Sequence, residues 1–307
     1  MASAASSADA SAVQWPVPGA LLDRGAGCSY RVDSVLCNAG PSVVLAGTDA
    51  FQQPVVLKIF RPEPGRFGTA EQQWQRELTV LQRLQHPRVI SLLDAFICGN
   101  LHYLVLERAE ANLSQILKRE GPLDVGATRE LARQLLAGLE EMHRRGLLHN
   151  DINSLNLLVD GLGLPAPQRR YRYCDFGLSC ERAAPWSSAC PSGKLALVPP
   201  EFLGDAETSP SVASDLYSLG LLLLEAHGGG LPMDADLSDA ELSEVILSGT
   251  ACQWAGALSS PLAGWIARFL EVDPVARFGT ALQAWQALPD QAAGAAKPGL
   301  PGNRFAR

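Results

Sequence analysis

Short hydrophobic stretches separated by Gly- and Pro-containing turns occupy the first third of the chain. From Tyr30 to Phe60 this pattern predicts an antiparallel β-meander. Residues 71–85 then carry apolar side chains at helical spacing with charged and Gln residues between them. This pattern predicts one amphipathic helix, which His86-Pro87 ends. Apolar runs at 89–96 and 101–106 complete an expected five-stranded antiparallel sheet with one helix.

After Asn112 the hydrophobic period becomes helical. We predict helices at Leu113–Arg119, Ala127–Arg145, Val212–Ala226, Ala240–Ser248, Leu262–Leu270 and Ala281–Leu288. A β-rich segment followed by a mainly helical one, with no internal repeat, predicts an α+β chain of two lobes with a cleft between them.

The ends of the chain differ from its centre in composition. Residues 1–25 and 290–307 are rich in Ala, Ser, Gly and Pro, and such segments bury too little apolar surface to offset their ordering entropy. We therefore predict two disordered tails around one folded domain at 26–289, with a small lobe at 26–108 and a larger lobe at 109–289. A hydrophobic content of 47% over 307 residues is enough for a large core.

Charge and cysteine content exclude several classes of protein. The net charge of −7 argues against a general nucleic-acid binder and against attraction to anionic membranes. The seven cysteines are odd in number and lack any C-x-x-C spacing, so neither a disulfide framework nor a zinc site is indicated. The longest apolar stretch, 219–224, is far shorter than the roughly 20 residues that span a bilayer. We expect a soluble protein with reduced thiols in the cytoplasm.

Two motifs carry the chemistry. Residues 149–156 read His-Asn-Asp-Ile-Asn-Ser-Leu-Asn, and Asp175-Phe176-Gly177 begins 19 residues after Asn156. An Asp followed five residues later by an Asn, and then by a second Asp ahead of Phe-Gly, is how a phosphotransferase assembles a base and two metal ligands. Asp151 is then the candidate base, and Asn156 and Asp175 are the candidate ligands.

The order of further motifs resembles that of the protein kinase family. In sequence they are Val55-Val56-Leu57-Lys58, Glu77, Leu106-Glu107-Arg108-Ala109, Leu148-His149-Asn150-Asp151, Asp175-Phe176-Gly177, Pro199-Pro200-Glu201, Asp215-Leu216-Tyr217-Ser218-Leu219-Gly220 and Asp273-Pro274-Val275-Ala276-Arg277. Each motif is weak alone, but eight in this order over about 260 residues identify a kinase-like chain. The resemblance implies a bilobal protein kinase-like fold.

The resemblance also implies roles for individual residues. Lys58, paired with Glu77, would bind the α- and β-phosphates of ATP, and Asp151 would orient or deprotonate the substrate hydroxyl. Asn156 and Asp175 would hold Mg²⁺. The adenine site would comprise Leu36, Val44, Val56 and Leu158, the Glu107 carbonyl and the Ala109 amide. Glu201 and Arg277 would form a buried structural ion pair.

The phosphate-covering loop departs from the family pattern. Side chains stand where three glycines are usual, at Cys37, Ala39 and Ser42. Because a Cβ limits how closely a backbone amide approaches phosphate, ATP affinity or loop closure is expected to suffer.

Two substitutions in the catalytic loop have different expected consequences. Asn150 replaces the Arg that pairs with a phosphorylated activation loop, so control by such phosphorylation is disfavoured. Asn153 replaces the Lys that contacts the γ-phosphate in Ser/Thr kinases, and a neutral amide cannot offset developing charge as an ammonium does. Lys194, seven residues before Glu201, is a candidate to supply that charge; the alternative is an exposed loop lysine.

Two functional classes remain open. The five residues Lys58, Glu77, Asp151, Asn156 and Asp175 favour an ATP- and Mg²⁺-dependent kinase acting on Ser or Thr of proteins. The altered phosphate loop and Asn153 favour a pseudokinase, a nucleotide-binding or empty scaffold that acts through protein interaction. A small-molecule kinase is disfavoured by Glu201 and Arg277. The sequence identifies neither the substrate nor the oligomeric state.

Overall fold

The described part of the chain divides into two compact units. The computed structural model describes residues 15–25, 28–39, 42–61, 69–181, 195–203, 208–231 and 237–289. The first unit comprises the described residues up to Leu78 together with Ser91–Arg108, and the second comprises Thr79–Ile90 and the described residues from Ala109 onward.

An antiparallel sheet of six strands forms the first unit. The strands are β1 (Leu21–Asp23), β2 (Ser29–Ala39), β3 (Ser42–Asp49), β4 (Pro54–Phe60), β5 (Leu92–Cys98) and β6 (Leu101–Glu107), and helix α1 spans Ala70–Arg83. Their order in the sheet is β1-β2-β3-β4-β6-β5. Alternate residues of β4, namely Val55, Leu57 and Ile59, share one face of the strand and are buried in the core of this unit. Lys58 and Phe60 on the other face are buried as well.

The five-strand prediction was wrong by one strand. Strand β1 lies in the segment predicted to be disordered, and its Leu22 pairs with Tyr30 of β2 and is buried. Beyond β1, Arg24 forms an ion pair with Asp94 of β5, and the Tyr30 hydroxyl donates to the same carboxylate at 2.9 Å. Strand pairing and the contacts with the Asp94 carboxylate help to offset the entropy that the segment containing β1 loses when it becomes ordered. The composition of this segment does not indicate these contacts. Residues 1–14 and 290–307, also predicted to be disordered, lie outside the described residues.

The second unit is mainly helical. Its helices are α2 (Leu113–Glu120), α3 (Val125–Arg144), α4 (Val212–Gly228), α5 (Asp239–Leu247), α6 (Thr250–Gly256), α7 (Ala263–Phe269) and α8 (Ala281–Gln286). Side-chain caps account for several starts, since Asn112, Ser211 and Ser238 each accept from the backbone N–H three residues on. The predicted helices are confirmed to within two residues at most ends. Helix α6 was not predicted.

Short strands in the second unit flank the candidate motifs at 149–156 and 175–177. They are β7 (Ala111–Asn112), β8 (Leu147–Leu148), β9 (Leu157–Asp160), β10 (Arg170–Tyr173) and β11 (Cys180–Glu181). Strands β10, β9 and β7 form one ladder and β11 pairs with β8. Two- to four-residue strands have no detectable sequence period, so none of them was predicted.

None of the helices in the described residues combines the length and the apolar character needed to cross a membrane.

The buried His227 of α4 predicts a pH-dependent stability. Burial lowers the pKa of its imidazole below the ordinary value of 6.5, although the Leu123 carbonyl and the Asp124 carboxylate act in the opposite direction. In the pH range below 6.5 the unfolded chain therefore binds more protons at this residue than the folded chain. The stabilising contribution is complete above pH 6.5 and is lost as the pH falls.

Replacing His227 by Gln is expected to flatten the decrease in melting temperature between pH 7 and pH 5, whatever the change in its absolute value. Thr128→Val is the matched control, because Thr128 Oγ1 lies 3.1 Å from His227 Nδ1 and does not titrate. Its slope should equal that of the parent protein. Equal slopes for the parent and His227→Gln would contradict this assignment.

Candidate active site

The predicted ion pair between Lys58 and Glu77 is present in the first unit. Lys58 Nζ lies 2.6 Å from Glu77 Oε2 and 2.9 Å from Oε1, joining β4 to α1. Lys58 is 6% exposed and Glu77 is fully buried. Loss of either partner would leave a buried charge without its main counter-charge, which the protein interior tolerates poorly. The pair therefore holds the lysine ammonium in one place.

Residues predicted to contact adenine are divided between the two units. In the first, Val44 of β3 lies opposite Lys58, and Val56 of β4 lies opposite Leu106 of β6. Leu36 is 50% exposed on β2, and the backbone N–H of Glu107 donates to the Ser91 carbonyl at 3.1 Å. In the second unit, Leu158 lies on β9, and Ala109 precedes β7 and is partly buried. Their roles toward adenine stay predictions.

The segment that replaces the glycine loop pairs as antiparallel strands where it is described, with a register shift between Val35 and Cys37. Cys37 lies opposite Val44, and Ala39 lies opposite Ser42, so pairing continues to the last described residue on each side. Residues with side chains therefore occupy paired strand positions at the places where the family has glycine. Gly40 and Pro41, between the two strands, lie outside the described residues.

Both carboxylate oxygens of Asp151 are held by side-chain amides in the second unit. Asn153 Nδ2 donates to Asp151 Oδ1 at 2.8 Å, and Asn156 Nδ2 donates to Oδ2 at 2.7 Å. The same two amides lie 3.2 Å and 3.0 Å from the Asp151 carbonyl oxygen. Because each amide contacts the carboxylate and the backbone of the same residue, the orientation of Asp151 is fixed from two sides.

Asn153 has a structural role that the sequence did not reveal. Its Oδ1 accepts from the Leu155 backbone N–H at 3.1 Å and caps the 3₁₀ turn Ser154–Asn156. One side chain therefore caps the turn that carries Asn156 and also orients Asp151. The preference of Asn for cap positions was the available sequence signal for this role. The replacement of the family's Lys at this position indicated only the loss of a positive charge.

Asp175 lies next to the strand that follows Asn156. The Cys174 backbone N–H donates to the Asn156 carbonyl at 3.0 Å, which joins the two candidate ligand segments. Asp175 has a φ of 62°, and its Oδ1 accepts from the Gly177 N–H at 3.4 Å. A left-handed conformation in a residue other than Gly is uncommon, and such residues cluster at functional sites.

The donor set of Asn156 and Asp175 fits Mg²⁺. The Asn156 amide uses its nitrogen on Asp151, so the oxygen is the atom it can offer to a cation, and Asp175 offers a carboxylate. Within the described ranges no cluster of three or more His, Cys, Asp or Glu side chains could hold a metal by itself. Two oxygen ligands that are completed by substrate phosphates are the usual arrangement for Mg²⁺.

Asp215 of α4 holds the beginning of the loop at 149–156 through hydrogen bonds. Its Oδ2 accepts from the His149 backbone N–H at 2.9 Å and contacts His143 Nε2 at 2.9 Å, and its Oδ1 accepts from the Asn150 backbone N–H at 2.8 Å. Burial by itself would raise the pKa of this carboxyl, but His143 and these backbone donors lower it below the ordinary value. His143 thus helps to fix the loop.

The His149 ring packs between two aromatic rings. Its centroid lies 5.0 Å from that of Phe176 and 5.4 Å from that of Tyr173. Burial lowers the pKa of His149, so the imidazole is neutral at pH 7. Its Nδ1 accepts from the Asp151 N–H at 3.3 Å, which links this aromatic packing to the candidate base.

Glu201 and Arg277 form the predicted structural pair. Arg277 Nη1 donates to Glu201 Oε1 at 2.9 Å and Nη2 donates to Oε2 at 2.7 Å, a bidentate geometry. The guanidinium also donates to the carbonyls of Ala213, Glu271 and Val272. The pair fixes the segment after the activation loop to the helices of the second unit. Lys194, which was predicted to compensate for Asn153, lies outside the described residues.

Sequence comparison defines the class of protein. Residues 35–288 match the family described as protein kinase domain (Pkinase), and the chain belongs to this family.

Individual relatives agree with this class. The chain is 30% identical over 228 residues to serine/threonine-protein kinase PknL of Mycobacterium tuberculosis, which covers 72% of this chain and 53% of that protein. It is 29% identical over 249 residues to serine/threonine-protein kinase 36 of Mus musculus, which covers 80% of this chain and 18% of that protein. The chain thus spans about half the length of the first relative and under a fifth of the second.

A solved structure described as Rad53 1-466 in complex with AMP-PNP has the same fold. It matches with a TM-score of 0.66 and 26% identity, covering 83% of this chain and 63% of that one.

Proposed function

We propose that this chain is an ATP- and Mg²⁺-dependent protein kinase that transfers the γ-phosphate of ATP to Ser or Thr hydroxyls of proteins. The observation that carries the proposal is the Asp151 carboxylate, which two amides hold at 2.8 and 2.7 Å. Phosphoryl transfer needs a positioned acceptor for the hydroxyl proton, and fixed donors orient that acceptor at no cost when the substrate arrives.

Each side chain has a separate task in this proposal. Lys58, fixed by Glu77, binds the α- and β-phosphates, while Asn156 and Asp175 hold Mg²⁺. The bound ion compensates charge on the phosphate oxygens. Asp151 aligns the substrate hydroxyl and accepts its proton. Leu36, Val44, Val56 and Leu158 surround adenine, and the Glu107 carbonyl and Ala109 amide recognise its edge.

The experiment that tests this function compares the parent protein with Asp175→Ala. Each is incubated with labelled ATP and magnesium, with and without a generic Ser/Thr protein substrate, and its melting temperature is measured with and without the nucleotide. We expect label on the chain or the substrate, and a rise in melting temperature, only in the parent. No label and no rise in the parent would show that the enzymatic proposal is wrong.

A pseudokinase is the second candidate function, and the hairpin at Cys37 and Ser42 favours it. Strand pairing with side chains at these positions leaves fewer backbone amides able to reach phosphates. The same experiment separates the two candidates: a rise in melting temperature on adding nucleotide, without label transfer, supports a nucleotide-binding scaffold.

The proposed reaction needs a positive charge near the γ-phosphate, and the neutral side chain of Asn153 does not supply it. Its amide contacts Asp151 and the Leu155 N–H, so its proposed task is to orient the base. In this proposal Lys194 supplies the ammonium that stabilises charge developing on the γ-phosphate.

Replacing Lys194 by Ala is expected to lower the rate of phosphoryl transfer about 10²-fold, the usual effect of removing one such donor. The exposed Lys118 of α2 provides the control, since Lys118→Ala should leave the rate unchanged. A wild-type rate for Lys194→Ala, measured with labelled ATP, would mean that this residue is an ordinary loop lysine.

A further inference from the structure

The side chain of Asn150 fastens the chain that follows Asp175-Phe176-Gly177 to the catalytic loop. Its Nδ2 donates to the Leu178 carbonyl at 3.1 Å and to Cys180 Sγ at 3.1 Å. An amide nitrogen has two hydrogens, so both are used in these contacts. The residue thereby connects two positions that lie 28 and 30 residues away along the chain.

The backbone of Asn150 suits this task. Its φ of 62° is in the left-handed region, where Asn is several-fold enriched over other residues with a side chain. Its N–H donates to the buried Asp215 at 2.8 Å. The backbone is therefore tied to α4 while the side chain is directed toward Leu178 and Cys180.

Neighbouring contacts hold the same short segment. Ser179 Oγ donates to the His149 carbonyl at 3.2 Å, and Cys180 pairs with Leu148 between strands β11 and β8. Glu181 Oε1 accepts from Arg83 Nη1 at 2.7 Å. Residues 178–181 are thus fixed by hydrogen bonds and one ion pair, all made by unmodified side chains and backbone.

We propose that Asn150 is a positioning residue that holds residues 178–181 in place for substrate binding without any added phosphate. A neutral amide keeps its two bonds whether or not a residue further along the chain is phosphorylated. An Arg at this position would place a charge there that needs an anionic partner for full compensation. The consequence for the reaction rests on the proposed kinase function; the consequence for local order does not.

Two substitutions separate the amide from the backbone conformation. Asn150→Gly keeps the left-handed conformation accessible and removes both donors. Asn150→Asp keeps the shape and tolerates the same conformation, but faces the Leu178 carbonyl with an acceptor. Asn100, at a φ of 61° in the turn between β5 and β6, provides the matched controls Asn100→Gly and Asn100→Asp.

Hydrogen exchange over residues 176–181 is the first measurement. Asn150→Gly should accelerate exchange there about tenfold and Asn150→Asp should accelerate it more, as expected for the loss of one or two hydrogen bonds. The Asn100 variants should exchange at the parent rate in this segment. Unchanged exchange in both Asn150 variants overturns the proposal, whether or not the protein is an enzyme.

Kinetics are the second measurement. The parent protein should have the same kcat before and after phosphatase treatment. Asn150→Gly should lower kcat/KM for a peptide substrate about tenfold and leave KM for ATP unchanged. A parent that transfers no phosphate contradicts the proposed function, while the exchange result still decides the role of Asn150. Full activity of Asn150→Gly, or a parent kcat that depends on phosphorylation, overturns the positioning role.

Discussion

Replacing Asp151 by Asn is expected to lower the rate of phosphoryl transfer by a factor of about 10² to 10⁴, the range for loss of a positioned general base. The substitution conserves shape, but it removes the proton acceptor and turns one of two acceptor oxygens into a donor. The amides of Asn153 and Asn156 both donate to this side chain, so one of them would face another N–H group. Turnover of labelled ATP on a protein substrate measures the effect.

Nucleotide binding provides the internal control for Asp151→Asn. Because Asp151 has no proposed contact with ATP, the rise in melting temperature on adding ATP without Mg²⁺ should equal that of the parent. Mg²⁺ is left out of this control because Asn156, a proposed Mg²⁺ ligand, donates to Asp151. Asp273→Asn is the matched control: the Asp273 carboxylate accepts from the Val275 N–H at 2.9 Å in an exposed turn, and an amide oxygen can do the same. A transfer rate for Asp151→Asn within a factor of two of the parent would exclude Asp151 as the base.

Replacing Glu201 by Ala is expected to lower the free energy of unfolding by about 3 to 5 kcal/mol, as when one partner of a buried ion pair is removed. Arg277 is 2% exposed, so its guanidinium would keep three backbone carbonyls as partners but lose its counter-charge. Urea unfolding followed by circular dichroism measures the difference.

An exposed ion pair provides the control for this prediction. Glu141 contacts Arg144 and Arg145 on the surface of α3, where solvent screens the attraction, and Glu141→Ala should reduce stability much less. The loss for Glu201→Gln should fall between those for Glu201→Ala and Glu141→Ala, because its amide oxygen can accept from one Arg277 N–H group while the charge is lost. Equal losses for Glu201→Ala and Glu141→Ala would mean that the buried pair contributes no more than a surface pair.

The local spacing of hydrophobic residues was sufficient to predict most of the helices and the long strands of the first unit. Residues 71–85 were predicted as a helix, and α1 spans Ala70–Arg83, because one apolar face at a fixed period encodes a helix that packs on a core. The ion pairs Lys58–Glu77 and Glu201–Arg277 followed from family motif order rather than from period. Lys58, Glu77 and Arg277 are buried and Glu201 is partly buried, so each residue type is strongly constrained by its partner.

The sequence by itself determined the class of protein and the candidate base and ligands, since these depend on residue type at fixed spacing. Only the tertiary structure decided the tasks of Asn150 and Asn153. Both residues stand where the protein kinase family usually has a positively charged side chain, so the sequence indicated only the loss of a charge at each position. Hydrogen bonds instead depend on which groups the fold brings within about 3 Å, and Asn150 contacts Leu178 and Cys180 where β11 pairs with β8. Strand β1 was missed for the same reason, since Arg24 and Tyr30 meet Asp94 across the folded sheet.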